Sequence, residues 1–355
     1  MIKVLEENEP NSINIKVIGV GNAGGNIVSR ISNTIDDVEF IVFNTDAQSL
    51  RYSKTDIKIQ IGEKTTHGRG TGRDPEKGKF AANEDKEKIS DVLKNANIIF
   101  LTAGLGGGTG TGSSPVIAKI AKDLGAIVIA LVTTPFGFEG GKKFDHAKIG
   151  LENLEKNVDT LIHISNEKLS EIINDSTSML DAFKKVDEII ARTVSSIADL
   201  INKPKVLLDI DFADICSIVE NAGKGIVGLG YGKGEGRMEK AARSIIEDPF
   251  LEKSEIMEAK NILISITGST DLTLKEVSEA MDIIQTRVSS SSRALGVTVD
   301  EKLENEIKIT LLATGIGKSK IEVKKPLSIR EEGELPLVDI DIPPGLRDTK
   351  KKGEI

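Results

Sequence analysis

One nine-residue run constrains the fold of this chain more than any other feature: Gly104-Leu-Gly106-Gly107-Gly108-Thr109-Gly110-Thr111-Gly112. It directly follows the apolar segment Asn97–Ala103 and opens an amphipathic helical pattern running from about Thr109 to Leu124. Glycine loses more backbone freedom on folding than any other residue, so a turn this rich in it serves a purpose. A buried strand that feeds such a turn and then a helix is half of a βαβ crossover. Backbone N–H groups unshielded by side chains form a concavity for an anion at the helix start, and Thr109 and Thr111 add hydroxyl donors.

A second turn of the same kind lies near the start. Gly19-Val-Gly21-Asn22-Ala-Gly24 follows the expected strand Ile13–Val20 and precedes a helix expected over Gly25–Ile35, a formal GxGxxG match in a strand-turn-helix context. Alone it fits a dinucleotide site or a plain glycine turn equally well. Two phosphate-facing loops in one unit suit a triphosphate better. A Walker A motif is absent, because Gly317-Lys318-Ser319 has Leu312 where the first glycine is needed.

Further strands are expected at Glu39–Phe43, Ala126–Val132 and Thr160–Ile164, with a helix over Lys142–Asn157, so the first part reads as a mostly parallel sheet covered by helices. A long helix is expected from about Ser178 to Asn202, since Leu180, Phe183, Val186, Ile190, Val194, Ile197 and Ile201 recur at three- and four-residue spacing. Strands at Asn261–Thr267 and Ile307–Ala313 and helices over Arg237–Glu247 and Leu274–Val288 then indicate a second, smaller α/β domain. The charged, proline-containing stretch from Lys318 is too poor in apolar residues for a core. The formal net charge of -8 argues against a nucleic-acid partner. The single cysteine, Cys216, excludes an intrachain disulfide and fits a reducing compartment. No signal peptide and no run of ~20 apolar residues is visible, so any membrane contact is expected to be indirect.

GGGTGTG at Gly106–Gly112 is the signature of the tubulin/FtsZ superfamily, and over residues 13–317 the chain resembles the FtsZ family of bacterial cell-division proteins. The matching strings are ordered: GVGNAGGN (Gly19–Asn26), NTDAQSL (Asn44–Leu50), the glycine-rich Gly62–Pro75, TPFGFEG (Thr134–Gly140), DFAD (Asp211–Asp214), GSTDLTLKE (Gly268–Glu276) and ATGIG (Ala313–Gly317). The resemblance implies a Rossmann-like GTP-binding domain at 13–177 behind a flexible arm, 1–12. It implies a central helix and synergy-loop segment at 178–224, a C-terminal α/β domain at 225–317 and a disordered linker and C-terminal peptide at 318–355.

By the same resemblance, GTP or GDP is held by Gly21, Asn22, Gly24, Gly25, Gly72, Ala103, Gly104, Gly106, Gly107, Gly108, Thr109, Gly110, Thr111, Gly112 and Pro135. Asn26, Asn166 and Asp187 are implied to recognise guanine, and a carboxylate can accept from both N1–H and the 2-amino group, which adenine does not offer. Asp187 has the alternative of an ordinary helix charge. Phe183 either stacks on the base or belongs to the core of the long helix. Glu139 is implied at the ribose, and Lys143 stands where the family commonly has arginine, keeping the charge but losing the planar fork. Asp46 either orients a Mg²⁺-bound water or caps the next loop. No side-chain cage for a metal is expected.

Asp211 and Asp214 of DFAD are implied to be catalytic, with Asp209 adding a charge where the family usually has asparagine; simple capping of a helix start is the alternative. From Asp187 to Asn202 a helix rises about 22 Å, which would put these carboxylates beyond reach of their own nucleotide. The expectation is therefore a head-to-tail homopolymer in which each subunit completes its neighbour's site. The segment 339–347 resembles the peptide with which the family docks on membrane-tethering and regulatory division proteins, implying a cytoplasmic protein at the midcell division ring. Two other readings stay open here: an NAD-binding oxidoreductase using Gly19–Gly24, and a GTP-binding structural filament with little turnover.

Overall fold

The computed structural model describes residues 13–172, 176–202, 206–208, 210–248, 250–251, 253–286, 288 and 292–317. The arm 1–12, Asp209 and the tail with its segment 339–347 lie outside the described residues.

The chain begins β1 (Ile15–Val20), α1 (Gly21–Ile31), β2 (Glu39–Asn44), α2 (Ala47–Tyr52), β3 (Ile57–Gln60) and α3 (Glu63–Thr66). Next come α4 (Pro75–Glu84), α5 (Lys86–Leu93), β4 (Ile98–Gly104), α6 (Thr109–Asp123), β5 (Ile127–Thr134), α7 (Gly141–Glu155), β6 (Thr160–Ser165) and α8 (Asn166–Ile172). The long helix α9 (Met179–Asn202) leads to β7 (Val206–Leu208) and α10 (Phe212–Val219). The remainder is β8 (Gly223–Lys233), α11 (Arg237–Ile246), α12 (Lys253–Glu258), β9 (Asn261–Gly268), α13 (Leu274–Gln285), β10 (Ser292–Val299) and β11 (Glu306–Ile316).

The strands form one sheet in the order β3-β2-β1-β4-β5-β6-β8-β11-β9-β10-β7. Neighbours from β3 to β8 are parallel, whereas β11 runs antiparallel to both β8 and β9. Parallel strands covered on both faces need apolar residues throughout, and every residue of β1 is buried. Alternation splits them between two layers: Ile15 and Val17 pack towards α1 and α9, Ile18 and Val20 towards α6 and α7. The one charge in β1, Lys16, ion-pairs with Glu39 at 3.0 Å and donates to the Val92 carbonyl at 2.8 Å.

Two elements differ from the sequence expectation for a shared reason. Helix α1 begins at Gly21 rather than Gly25, because the glycines form its first turn pressed against the sheet: a Cβ on Gly24 would lie 2.3 Å from the Thr102 carbonyl oxygen. Strand β8, GKGIVGLGYGK, is too glycine-rich to read as a strand. Its glycines admit α11, since a Cβ on Gly230 or Gly232 would fall 2.3 Å from the Ala241 carbonyl or 1.7 Å from that of Arg237. Helix α9 ties the two halves together: Arg192 Nη2 donates to the Gly230 carbonyl (2.6 Å) and Ser196 Oγ shares a hydrogen bond with Thr310 Oγ1 (2.7 Å). No helix among the described residues is long and apolar enough to cross a membrane.

Candidate functional site

A cleft of about 630 Å³ opens at the C-terminal ends of β1, β4, β5 and β6, where parallel α/β sheets place their ligands. One end is built by two helix starts. Helix α1 begins at Gly21 and α6 at Thr109; neither has a side-chain cap or an acidic residue in its first turn. Their free N–H groups and positive dipole ends face the space lined by Asn22, Ala23, Gly104, Gly107, Gly108, Thr109 and Gly110, an arrangement that accepts an anion. Gly72, Pro135, Glu139 and Lys143 also line it. Thr109 Oγ1 is shared with Thr45 Oγ1 at 2.7 Å, and Asn22 Oδ1 accepts from Asn44 Nδ2 at 2.8 Å, which fixes both turns against the end of β2.

The other end carries Asn26, Asn166, Phe183 and Asp187. The side-chain oxygen of Asn166 is buried and has no protein hydrogen-bond partner. A buried acceptor left unmatched is destabilising, so this atom marks where a ligand donor fits. Asp187 is buried rather than a solvated helix charge. Arg30 Nη2 donates to its Oδ1 at 2.8 Å, and Oδ2 ion-pairs with Arg30 Nε without a hydrogen bond of its own. Burial raises the Asp187 carboxyl above its ordinary range, and Arg30 opposes the rise. Phe183 is not in the core. It is 39% exposed, lines the cleft, and meets Phe136 edge-on with centroids 5.9 Å apart.

Seven residues expected at the nucleotide do not line the cleft: Gly21, Gly24, Gly25, Ala103, Gly106, Thr111 and Gly112. Close packing explains most of them. A Cβ on Gly25 would meet Val42 at 3.0 Å, and one on Gly112 would lie 1.9 Å from the Pro75 carbonyl of α4. The Thr111 hydroxyl turns inward and accepts from Gly106 N–H at 2.9 Å, bracing the turn.

Asp211 and Asp214 lie elsewhere. Asp211 occupies the position before α10 yet makes no side-chain capping bond, whereas Asp214 sits in the first turn of α10, where a carboxylate complements the helix dipole; both are exposed. Ile210 packs beside the last turns of α9: a Cβ on Gly296 would touch Leu200 Cδ2 at 2.2 Å and Ile210 Cδ1 at 3.1 Å. The rise from Asp187 to Leu200 is about 20 Å. At the other end of α10, the Val219 carbonyl accepts from Thr160 Oγ1 (2.6 Å) at the start of β6, whereas Asn166 follows its end.

Residues 14–174 match the Tubulin/FtsZ family, GTPase domain, and 223–317 match the FtsZ family, C-terminal domain. An empty FtsZ dimer from M. jannaschii is 39% identical with a TM-score of 0.79, the alignment covering 85% of this chain and 88% of that one. The chain belongs to the tubulin/FtsZ family. A GTPgS-bound protofilament of CetZ2 from Haloferax volcanii is 22% identical with a TM-score of 0.72, covering 86% of this chain and 94% of its own, and shares the fold. Membership makes GTP and GDP the nucleotides and hydrolysis the chemistry, and it displaces the oxidoreductase reading of Gly19–Gly24.

Within this tubulin/FtsZ chain, Asp46 is a cap: its Oδ1 accepts from Gln48 and Ser49 N–H (2.9 and 3.2 Å) and its Oδ2 from Ser49 Oγ (3.1 Å). It still borders the cleft. Glu139 accepts from Phe136 N–H at 3.0 Å and pairs with Lys143 Nζ at 2.6 Å, so these two cleft charges neutralise each other. No group of three or more His, Cys, Asp or Glu side chains suited to a metal occurs among the described residues. Sequence reasoning missed Arg30, Thr45, Arg69, Thr71 and Arg73. Arg30 meets its partner 157 positions away, a pairing no local pattern reveals.

His163, on β6 beneath the cleft, hydrogen-bonds Thr134 Oγ1 at 2.8 Å. Desolvation, with Lys168 and Lys224 nearby, pushes it down to about 4. The unfolded chain then takes up this proton near pH 6.5 and the folded chain only near 4. The associated stability is complete above pH 6.5 and falls by roughly 3 kcal/mol as pH drops to 4. Urea midpoints measured across that window are expected to show the fall, and a His163→Leu variant is expected to flatten it. An unchanged slope would show that other groups carry the acid sensitivity.

Proposed function

We propose that this chain binds GTP in the cleft, stacks head to tail, and completes hydrolysis only when the next subunit's Asp211 and Asp214 reach the bound nucleotide. The observation that carries the reading is the separation within one chain: an anion-binding cleft at one end of α9, and two exposed carboxylates beside its other end. Exposed apolar residues lie at both ends. Phe138 stacks on Phe136, which meets the cleft residue Phe183, Leu180 lies one turn before Phe183 on α9, and Leu207 and Leu208 precede Asp211. Such patches suit a heterologous contact that repeats without closing.

In this reading Gly107, Gly108, Thr109 and Gly110 hold the phosphates through backbone N–H groups, and Glu139 reaches the ribose. Asn166 and Asp187 accept from the guanine edge, and Phe183 packs on the base. Asp46, which borders the cleft and keeps acceptor capacity beyond its capping bonds, would hold Mg²⁺ indirectly, and the ion would supply charge neutralisation on the phosphates. The neighbour's Asp211 and Asp214 orient and polarise the attacking water, which is most of what phosphoryl transfer asks of a protein. The biological setting we propose is a cytoplasmic division ring at midcell, tethered through segment 339–347.

Phosphate release per molecule, followed across a dilution series, tests the core of this. The rate is expected to collapse below the assembly concentration; a rate independent of dilution would refute completion in trans. Light scattering that rises with GTP but without phosphate release would favour a structural filament with little turnover. For base recognition, Asp187→Ala is expected to weaken GTP about tenfold or more while leaving ITP, which lacks the 2-amino group, less affected. Equal loss for both nucleotides would remove Asp187 from that role.

A further inference from the structure

The turn that carries Glu139 is held at the cleft by a residue from another element. Between Pro135 and Gly140 the chain makes one tight helical turn, Gly137–Glu139. Glu139 N–H donates to the Phe136 carbonyl at 3.0 Å, which closes the turn on itself. Gly140, at φ of 100°, takes the left-handed backbone that redirects the chain into α7. These features set the shape of the turn but not its place in the fold.

Two ties to other elements set the place. The Phe136 ring is buried, stacked on Phe138 with centroids 5.2 Å apart and edge-on to Phe183 of α9. Apolar contact is non-directional, so it anchors the ring without fixing how the backbone runs past it. The second tie is directional: Gly137 N–H donates to Glu167 Oε2 at 2.7 Å. Glu167 stands in the first turn of α8, where a carboxylate also complements the helix dipole, and it directly follows Asn166.

The same turn directs Glu139. Its Oε1 accepts from Phe136 N–H at 3.0 Å and its Oε2 pairs with Lys143, so the carboxylate moves with the backbone that carries it. Glu139 and Asn166 both line the cleft, and the residue after Asn166 is the one that grips the Glu139 turn. One helix start therefore fixes two points of the ligand: the base through Asn166 and, through Glu167, the carboxylate assigned to the ribose.

We infer that Glu167 is a positioning residue: by holding Gly137 N–H it sets the distance from the Glu139 carboxylate to the base position at Asn166, and so gives the cleft a preference for nucleotides that carry ribose hydroxyls. Glu167 itself does not line the cleft and acts through the turn. What it supplies is one acceptor at one point, so an amide oxygen there serves as well as a carboxylate. The inference rests on the assignment of Glu139 to the ribose, and the experiment separates failure of the one from failure of the other.

Binding of GTP and of 2′,3′-dideoxy-GTP, which lacks both ribose hydroxyls, is measured by equilibrium dialysis on the full, nucleotide-free chain below its assembly concentration. The wild type is expected to favour GTP about tenfold, the usual worth of a hydrogen bond to a charged group, and Glu139→Ala to abolish that preference. Glu167→Ala is expected to abolish it too, losing about tenfold for GTP and less than about twofold for the dideoxy analogue. Glu167→Gln keeps the acceptor and is expected to keep the preference. Glu167→Asp keeps the charge at the helix start but draws the oxygen back by a methylene, and is expected to lose it. The double variant Glu139→Ala/Glu167→Ala is expected to bind GTP no more weakly than Glu139→Ala alone, because residues acting through one contact do not add. Equal losses for both nucleotides in Glu167→Ala, an unchanged preference in Glu167→Ala or Glu167→Asp, or additive losses in the double variant would overturn the inference while leaving Glu139 at the ribose. Loss of preference in Glu167→Gln would overturn it as well, since charge rather than position would then be at work. A wild type that binds both nucleotides equally would overturn the assignment of Glu139, and this inference with it.

Discussion

The double variant Asp211→Ala/Asp214→Ala is expected to lose phosphate release by about 100-fold or more, the usual contribution of groups that position and polarise a reacting water. Its GTP affinity is expected to stay within about twofold of the wild type, because neither residue lines the cleft of its own chain. Folding should be little affected. Both side chains are exposed, and Asp211 makes no capping bond whose loss would destabilise α10. A mixing experiment sharpens the point. Combined with a variant unable to bind GTP but carrying intact carboxylates, the double variant is expected to regain hydrolysis, each partner supplying what the other lacks. Absence of recovery in mixed filaments, or a large loss of GTP binding in the double variant, would place these carboxylates in their own chain's site or in none.

The second large effect concerns the glycine turn itself and separates residues that the sequence presents as equivalent. Gly112→Ala is expected to destabilise the fold by about 3 kcal/mol, since overpacking against rigid neighbours lies at the upper end of such substitutions. The added Cβ would meet the Pro75 carbonyl at 1.9 Å and Lys79 N at 2.7 Å, both backbone atoms of α4 that cannot swing aside. Gly107→Ala is expected to behave oppositely. Its Cβ meets nothing within 4 Å, so thermal stability should hold, but the methyl group intrudes on the cleft and should weaken GTP binding about tenfold. Thermal melts with and without GTP distinguish the two. A Gly112→Ala protein that melts like the wild type, or a Gly107→Ala protein that binds GTP as tightly, would contradict the packing described here.

The sequence alone determined the strand-turn-helix units around Gly19–Gly24 and Gly104–Gly112, the long helix α9, and the order of motifs along the chain. These rest on local spacing: apolar periodicity and glycine turns are properties of neighbouring residues. It also brought Asn26, Asn166, Phe183 and Asp187 under one functional heading, and the structure gathers them at one end of one cleft. Tertiary structure alone decided which glycines face the cleft and which admit a helix, because a missing Cβ looks the same in sequence whatever it makes room for. It also decided that Arg30 holds Asp187, that β8 is a strand despite its glycines, and that Glu167 holds the turn carrying Glu139. Each of these depends on what a distant segment places opposite a residue, and that information appears only once the sheet has brought the segments together.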